Sequence, residues 1–233
     1  MLKFLGSGSA FNTELGNNSA FLKDEKKILI LDCGGTVFEQ IRKLDLLEGV
    51  DDIYVFISHT HPDHIGSLGD LIFYAYYILK RKVTIIHLES EKIVNILSLL
   101  GVKEEYYNLI SDTEVKLNDF NELKLNIIST SHSESLKAYS LILSYKGKKI
   151  YYSGDSNSID KMILEKFKSR EIELIYQDTC GIDYVGNGHL YIEKLCNLID
   201  VKLRKFVYCM HLDTHIESSE ITKLGFNIAT RDR

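Results

Sequence analysis

The sequence predicts an α/β chain made of two similar halves, and three observations support this. Short apolar runs bounded by turn residues recur along the chain as strand signals. Segments with apolar side chains at helical spacing fall between them. The order is β-rich, then strands and helices in alternation, then β-rich and alternating again. Two half-domains of one kind, face to face with sheets inside and helices outside, fit that order. Residues 1–233 are expected to form one domain: the length suffices for a large core, and no linker, low-complexity tract or fixed repeat interrupts it.

The elements follow in order. "LKFL" is a strand, followed by the turn-rich "GSGSAFNTELGNNS". "AFLK" and "KILILD" flank the polar tip Asp24-Glu25-Lys26 as a hairpin would. "TVFEQIRKLDLL" places Val37, Ile41 and Leu44 on one helical side, and "DIYVFIS" is a buried strand running straight into His59. A helix over about Ser67 to Lys80, the strand "KVTIIHL" and the helix "SEKIVNILSLLG" come next. "LKLNIIST", "AYSLILSY" and "KKIYYSG" are strands, the last two joined by a turn at Lys146-Gly147-Lys148. Helix Ile159 to Lys168, strand "IELIYQD", helix "LYIEKLCNLI", strand "KFVYCMH" and the short helix "SSEITKLG" complete the reading.

Composition narrows the function. The formal charge of −5 gives no broad drive toward a polyanion and leaves a small anionic substrate open. Cys33, Cys180, Cys196 and Cys209 form no C-x-x-C pair and read as reduced thiols. No basic stretch followed by a long apolar run opens the chain, and no run of about 18 apolar residues occurs. A cytoplasmic protein without a membrane partner is expected.

The chemistry concentrates in "SHTHPDH", Ser58 to His64, which packs three histidines and an aspartate into seven residues after a buried strand. Imidazole and carboxylate are metal ligands. Pro62 removes a backbone donor and restricts its neighbour, so a compact loop aiming side chains at two adjacent points is expected there. Further on, "STSHS" supplies His132, "YSGDS" Asp155 and "YCMHLD" His211, all just after strand ends.

"HTHPDH" resembles the signature of the metallo-β-lactamase superfamily. The opening "LGSGSA", the "NNSAFL" strand, "ILDCGG" and the three later motifs occur in that family's order, from residue 1 to about 220. The resemblance implies a four-layer αβ/βα sandwich. It also implies that His59, His61 and His132 bind one metal, that Asp63, His64 and His211 bind another, and that Asp155 bridges them, with Asp63 catalytic as well as ligating. Five imidazoles and two carboxylates suit two divalent ions about 3.5–4 Å apart with a bridging hydroxide. Zinc is expected from the N/O ligands; manganese and iron are the alternatives, because geometry and supply decide occupancy. Asp32, in "LDCGG", reads either as a turn carboxylate or as the group that holds a ligand histidine's second nitrogen.

"GHLYIEKL", with His189 just before a helix, is similar to the extra histidine of the ribonuclease Z-like phosphodiesterase branch. That likeness implies contact with the scissile phosphate and protonation of the leaving oxygen. Asp178, in "YQDTC", lies where that branch places an acidic partner for this histidine. His87 reads as a half-buried strand histidine and His215 as a surface-loop residue; Tyr74, Tyr76 and Tyr77 read as helix-packing residues. Ser7, Ser9, Asn17 and Asn18 lie on loops that could line the pocket mouth.

Three substrate classes follow. The first is a small, cyclic nucleotide, attacked by a two-metal-activated hydroxide. The second is precursor tRNA, cut at its 3′ end. The third is another ester, lactone, thioester or β-lactam. RNA-processing members of the branch carry a long basic arm between the positions matching His132 and Asp155. Here 22 residues separate them, and a hairpin uses them. The arm-free layout resembles bacterial and phage cyclic-nucleotide phosphodiesterases, the anti-Pycsar enzymes among them, and implies a small nucleotide substrate and a homodimer.

Overall fold

The computed structural model describes residues 1–231. The chain divides into two compact units. Among the described residues, each unit carries one sheet.

The first unit comprises Met1–Gly6 and Leu15–Thr113, with Arg231 bridged in parallel to Phe4. Its sheet runs in sequence order: β1 (Lys3–Gly6), β2 (Ser19–Asp24), β3 (Lys27–Leu31), β4 (Asp52–Phe56), β5 (Val83–Ile86) and β6 (Tyr107–Ile110). The first three pair antiparallel, β3 to β6 in parallel. The helices are α1 (Val37–Lys43), α2 (Pro62–Ile65), α3 (Leu68–Tyr74), which continues as a π-helical turn Ala75–Leu79, and α4 (Ser90–Leu99). Val37 and Ile41, one helical turn apart, bury the inner side of α1; Leu68, Leu71 and Ile72 do the same for α3, and Ile93 and Leu97 for α4. They pack on Ile28, Ile30, Ile53, Val55, Val83 and Ile85 of the sheet. The expected Ser67–Lys80 helix ends in a left-handed Lys80 (φ 57°) after its π turn. The tyrosines pack as expected: Tyr76 lies 4.2 Å from Tyr106 between ring centres, and the Tyr77 hydroxyl donates to Tyr106 at 2.8 Å.

The second unit comprises Ser7–Glu14 and Glu114–Thr230. Its strands are β7 (Glu114–Leu117), β8 (Leu123–Thr130), β9 (Ala138–Tyr145), β10 (Lys148–Tyr152), β11 (Leu174–Asp178), β12 (Val207–Met210) and β13 (Asn227–Ile228). They lie in the order β13-β12-β11-β10-β9-β8-β7. β7 to β10 are antiparallel and β10 to β13 parallel. Lys146 (φ 50°) and Gly147 (φ 77°) form the two-residue turn of the β9–β10 hairpin, matching the strands' twist. Helices α5 (Lys161–Lys168), α6 (Ile192–Leu198) and α7 (Ser218–Lys223) follow the parallel strands. Asp160 caps α5 by accepting from Met162 N at 2.7 Å.

β6, β7 and β13 are additions to the sequence reading, which assigned nothing between the α4 helix and "LKLNIIST" and nothing after the last helix. All four cysteines are free. Burial pushes the Cys33 and Cys209 thiols up to about 12 and Cys180 to about 11, so these are packing residues. Among the described residues no helix is long and apolar enough to cross a membrane.

Candidate metal centre

The first unit carries four of the seven expected ligands on the segment leaving β4. The expected compact loop is a short helix. His61 caps it, and Pro62 stands at its first position, where no N–H is needed and its fixed φ suits a helix. The turn delivers Asp63 and His64, while His59 lies on the irregular segment before it. His59 Nε2 lies 3.0 Å from His61 Nδ1. Two nitrogens on one tetrahedral zinc, each at about 2.0–2.1 Å, would be about 3.3 Å apart. His64 Nε2 lies 3.3 Å from Asp63 Oδ2, a second convergence of donor atoms.

Asp32 organises this half. It is buried, in a left-handed backbone conformation (φ 64°) that aspartate tolerates better than most residues. Its carboxylate accepts from Ser58 N at 2.7 Å, Ser58 Oγ at 2.9 Å and His64 Nδ1 at 3.0 Å. The last bond puts His64's proton on Nδ1 and its lone pair on Nε2, facing Asp63. The Ser58 hydroxyl, spent on Asp32, leaves its oxygen to accept from His59 Nδ1 at 3.1 Å and so fixes that tautomer too. Sequence reasoning passed over Ser58; its place directly before the motif was the available signal.

Gly34 lets the β3 loop pass against the motif. A Cβ there would stand 1.8 Å from the Asp63 carbonyl oxygen. Gly34→Ala is expected to destabilise the protein by about 3 kcal/mol or more, read as a fall in the denaturant midpoint; an unchanged midpoint would contradict this close approach. Asn17 has a framework role: its side-chain oxygen accepts from Thr36 N, and its own N–H donates to Thr36 Oγ1, both at 2.9 Å.

The second unit carries His132, Asp155 and His211, together with Asp178 and His189. His132 follows β8, Asp155 follows β10, Asp178 ends β11 and His211 follows β12. Asp155 Oδ2 lies 3.7 Å from His132 Nε2 and 3.4 Å from His211 Nε2. His132 Nδ1 donates to the Gly188 carbonyl at 3.0 Å, which directs its Nε2 lone pair toward Asp155. Gly188 must be glycine for this contact, since a Cβ would lie 2.6 Å from the His132 carbonyl oxygen. His211 is left-handed (φ 55°), and the residue after it is pinned to the N-terminal segment: Leu212 N donates to Ser7 O and Ser9 N to Leu212 O, at 2.9 and 3.0 Å.

Asp178 is fully buried, and its Oδ2 accepts from His189 Nδ1 at 2.7 Å and from Ser156 N at 2.9 Å. Its Oδ1 lies 3.4 Å from His211 Nδ1, a link that the sequence did not suggest. Asp155, Asp178, His189 and His211 each offer a ligand atom within 4.8 Å of the others. Within that cluster the short His189–Asp178 bond commits its two atoms to each other. His189 stacks on His211 with 4.9 Å between ring centres. Burial alone would depress its pKa, but the Asp178 charge and hydrogen bond, with Asp155 beyond, hold it above the ordinary imidazole value. His189 stands three residues before α6, in a loop tied down by its own N–H donating to Asn187 Oδ1 at 3.0 Å.

Asp213, which sequence reasoning also missed, accepts from Gly181 N with both carboxylate oxygens at 3.1 Å. His215 is exposed, as expected. His87 departs from expectation: it is fully buried and stands just past the end of β5. Each unit thus presents nitrogen and oxygen donors converging at spacings and in tautomers that suit divalent cations.

The fold and these clusters define a metallo-β-lactamase-fold protein. The chain resembles the metallo-β-lactamase-fold protein YhfI from Bacillus subtilis, with a TM-score of 0.78 at 17% identity over 100% of this chain and 96% of that one. It also resembles the short form of human tRNase Z, with a TM-score of 0.66 at 17% identity over 91% and 92%. Residues 1–232 match the family model of the anti-Pycsar protein Apyc1, and the chain belongs to that family. Among its relatives, the Apyc1 of Paenibacillus harenae is 25% identical over 93% of this chain and 91% of its own length. That of Bacillus phage BSP38 is 27% identical over 96% and 93%.

Proposed function

We propose that this protein is a metal-dependent phosphodiesterase that opens small cyclic nucleotides, working as a single domain, cytoplasmic and homodimeric. The observation that carries the reading is the buried Asp178 holding His189 at 2.7 Å beside Asp155 and His211. His59, His61 and His132 would hold one divalent ion, zinc by preference, and Asp63, His64 and His211 the other, with Asp155 serving both. Such a pair supplies positive charge for a phosphodiester's developing negative charge and lowers the pKa of water.

The residues themselves do the rest. Asp178 takes the Nδ1 proton of His189 as a hydrogen bond, so the transferable proton sits on Nε2. There it can pass to the departing ribose oxygen, which as an alkoxide is a poor leaving group. Asp63, with its side chain 11% exposed, would take the proton of attacking water. Asp32 keeps His64 in the ligating tautomer.

Membership of the anti-Pycsar family supports a cyclic nucleotide, and the arm-free hairpin weighs against a long RNA. The test is a panel assay of the zinc- or manganese-loaded protein against 3′,5′- and 2′,3′-cyclic nucleotides, bis(p-nitrophenyl) phosphate, a precursor tRNA, a lactone and a thioester. Cleavage of the cyclic nucleotides and the aryl diester, with the others intact, is expected. Turnover of the lactone or thioester without any phosphodiester cleavage would sink the proposal.

A further inference from the structure

The peptide group between Ile57 and Ser58, immediately before His59, is held at both poles by side chains. In the sheet, Ile57 N still donates to Ile86 O at 3.1 Å, and Asp32 N to Phe56 O at 2.8 Å. A continuing parallel ladder would next give the Ile57 carbonyl a main-chain N–H from beyond β5, and give Ser58 N–H a main-chain carbonyl from beyond β3. Neither is what the structure has. Ser58 N donates to the Asp32 carboxylate at 2.7 Å. The Ile57 carbonyl is bonded by the imidazole of His87, whose Nδ1 lies 2.8 Å away. A carbonyl oxygen can only accept, so Nδ1 carries the proton. His87 is itself anchored, because its own N–H donates to Ile110 O at 3.0 Å.

We infer that His87 is a positioning residue for the metal-binding segment. With Asp32 it grips one peptide plane from opposite edges and so sets the direction in which the chain carries His59 and His61 out of β4. This inference rests on the proposed metal-binding reading. Its logic is that of the groups that orient metal ligands from behind, displaced here from a ligand's ring to the main chain before it. Loss of such groups typically weakens metal binding about 10- to 100-fold. Burial keeps the imidazole neutral by pushing its pKa down, which suits a fixed single donor.

The test is zinc affinity by competition with a chromophoric chelator, alongside the visible spectrum of the cobalt-substituted protein. His87→Leu removes the donor at similar volume. It is expected to weaken zinc binding at least about 10-fold and to alter the cobalt bands, in protein whose circular dichroism is native. His87→Asn keeps an N–H near the Nδ1 position and should stay within about 3-fold of the parent, whereas His87→Gln, whose amide sits farther out, should follow His87→Leu. If His87→Leu does not fold, the Asn and Gln variants decide. Wild-type affinity in a folded Leu or Gln variant, or equal loss in Asn and Gln, would overturn the inference. A parent protein that binds no zinc would instead overturn the metal reading itself.

Discussion

Replacing His189 by alanine is expected to lower cyclic-nucleotide turnover by about 10²-fold or more, with bound metal unchanged. The size follows from what the imidazole is placed to do. A ribose oxygen leaves badly without a proton, and Nε2 is the position from which His189 can give one, since Nδ1 is committed to Asp178 at 2.7 Å. The same reasoning predicts a contrast that mere damage would not produce. Bis(p-nitrophenyl) phosphate expels a stable phenolate that needs no proton, so its hydrolysis should fall far less than that of a cyclic nucleotide. Parallel rate measurements on the two substrates, with metal analysis of the same preparations, check this. An unchanged rate would remove His189 from the mechanism, and equal losses on both substrates would remove its role as an acid.

The second large effect is expected at Asp155. Its Oδ2 lies within 3.7 Å of His132 Nε2 and 3.4 Å of His211 Nε2, from a position that is only 2% exposed. Under the proposed assignment it is the one carboxylate that serves both ions, since Asp178 is committed to His189 at 2.7 Å. Asp155→Ala should weaken binding of both by well over 100-fold, more than losing an outer partner costs, and abolish turnover. Elemental analysis after dialysis reads this directly: normal metal content would undo the bridging assignment. The contrast with His189→Ala, which keeps metal and loses rate, separates the residue that holds from the residue that transfers a proton.

The residues of the proposed site were legible in the sequence because metal-ligand chemistry compresses into short motifs. Three histidines and an aspartate within seven residues seldom serve anything but a metal, and His132, Asp155 and His211 each fall within three residues of a strand end that its β-branched and aromatic run announces. The fold class was readable from the order of strand and helix signals, and the β9–β10 hairpin from its turn residues Lys146 and Gly147. What escaped depends on contacts that leave no local pattern. β7 is four residues alternating with charge, "EVKL", and β13 is two residues long; both exist through pairing with neighbours. Pro62 read as a chain breaker because its clash is visible locally, whereas its service as the first residue of a helix is set by the turn that follows. The roles of Ser58 and Asp213 lie in hydrogen bonds to groups up to 32 residues away. His87 looked like an ordinary strand histidine because nothing in "IIHLES" reveals that its ring ends a ladder on the next strand.

The central claim, a phosphodiesterase that works with a pair of divalent ions, is tested most directly by metal titration. Protein stripped with a chelator should not open a 3′,5′-cyclic nucleotide. Adding zinc or manganese back should restore hydrolysis and saturate it near two equivalents per chain, the number that the seven-ligand assignment requires. Activity that survives stripping, or metal-saturated protein that leaves every cyclic nucleotide intact, would contradict the account.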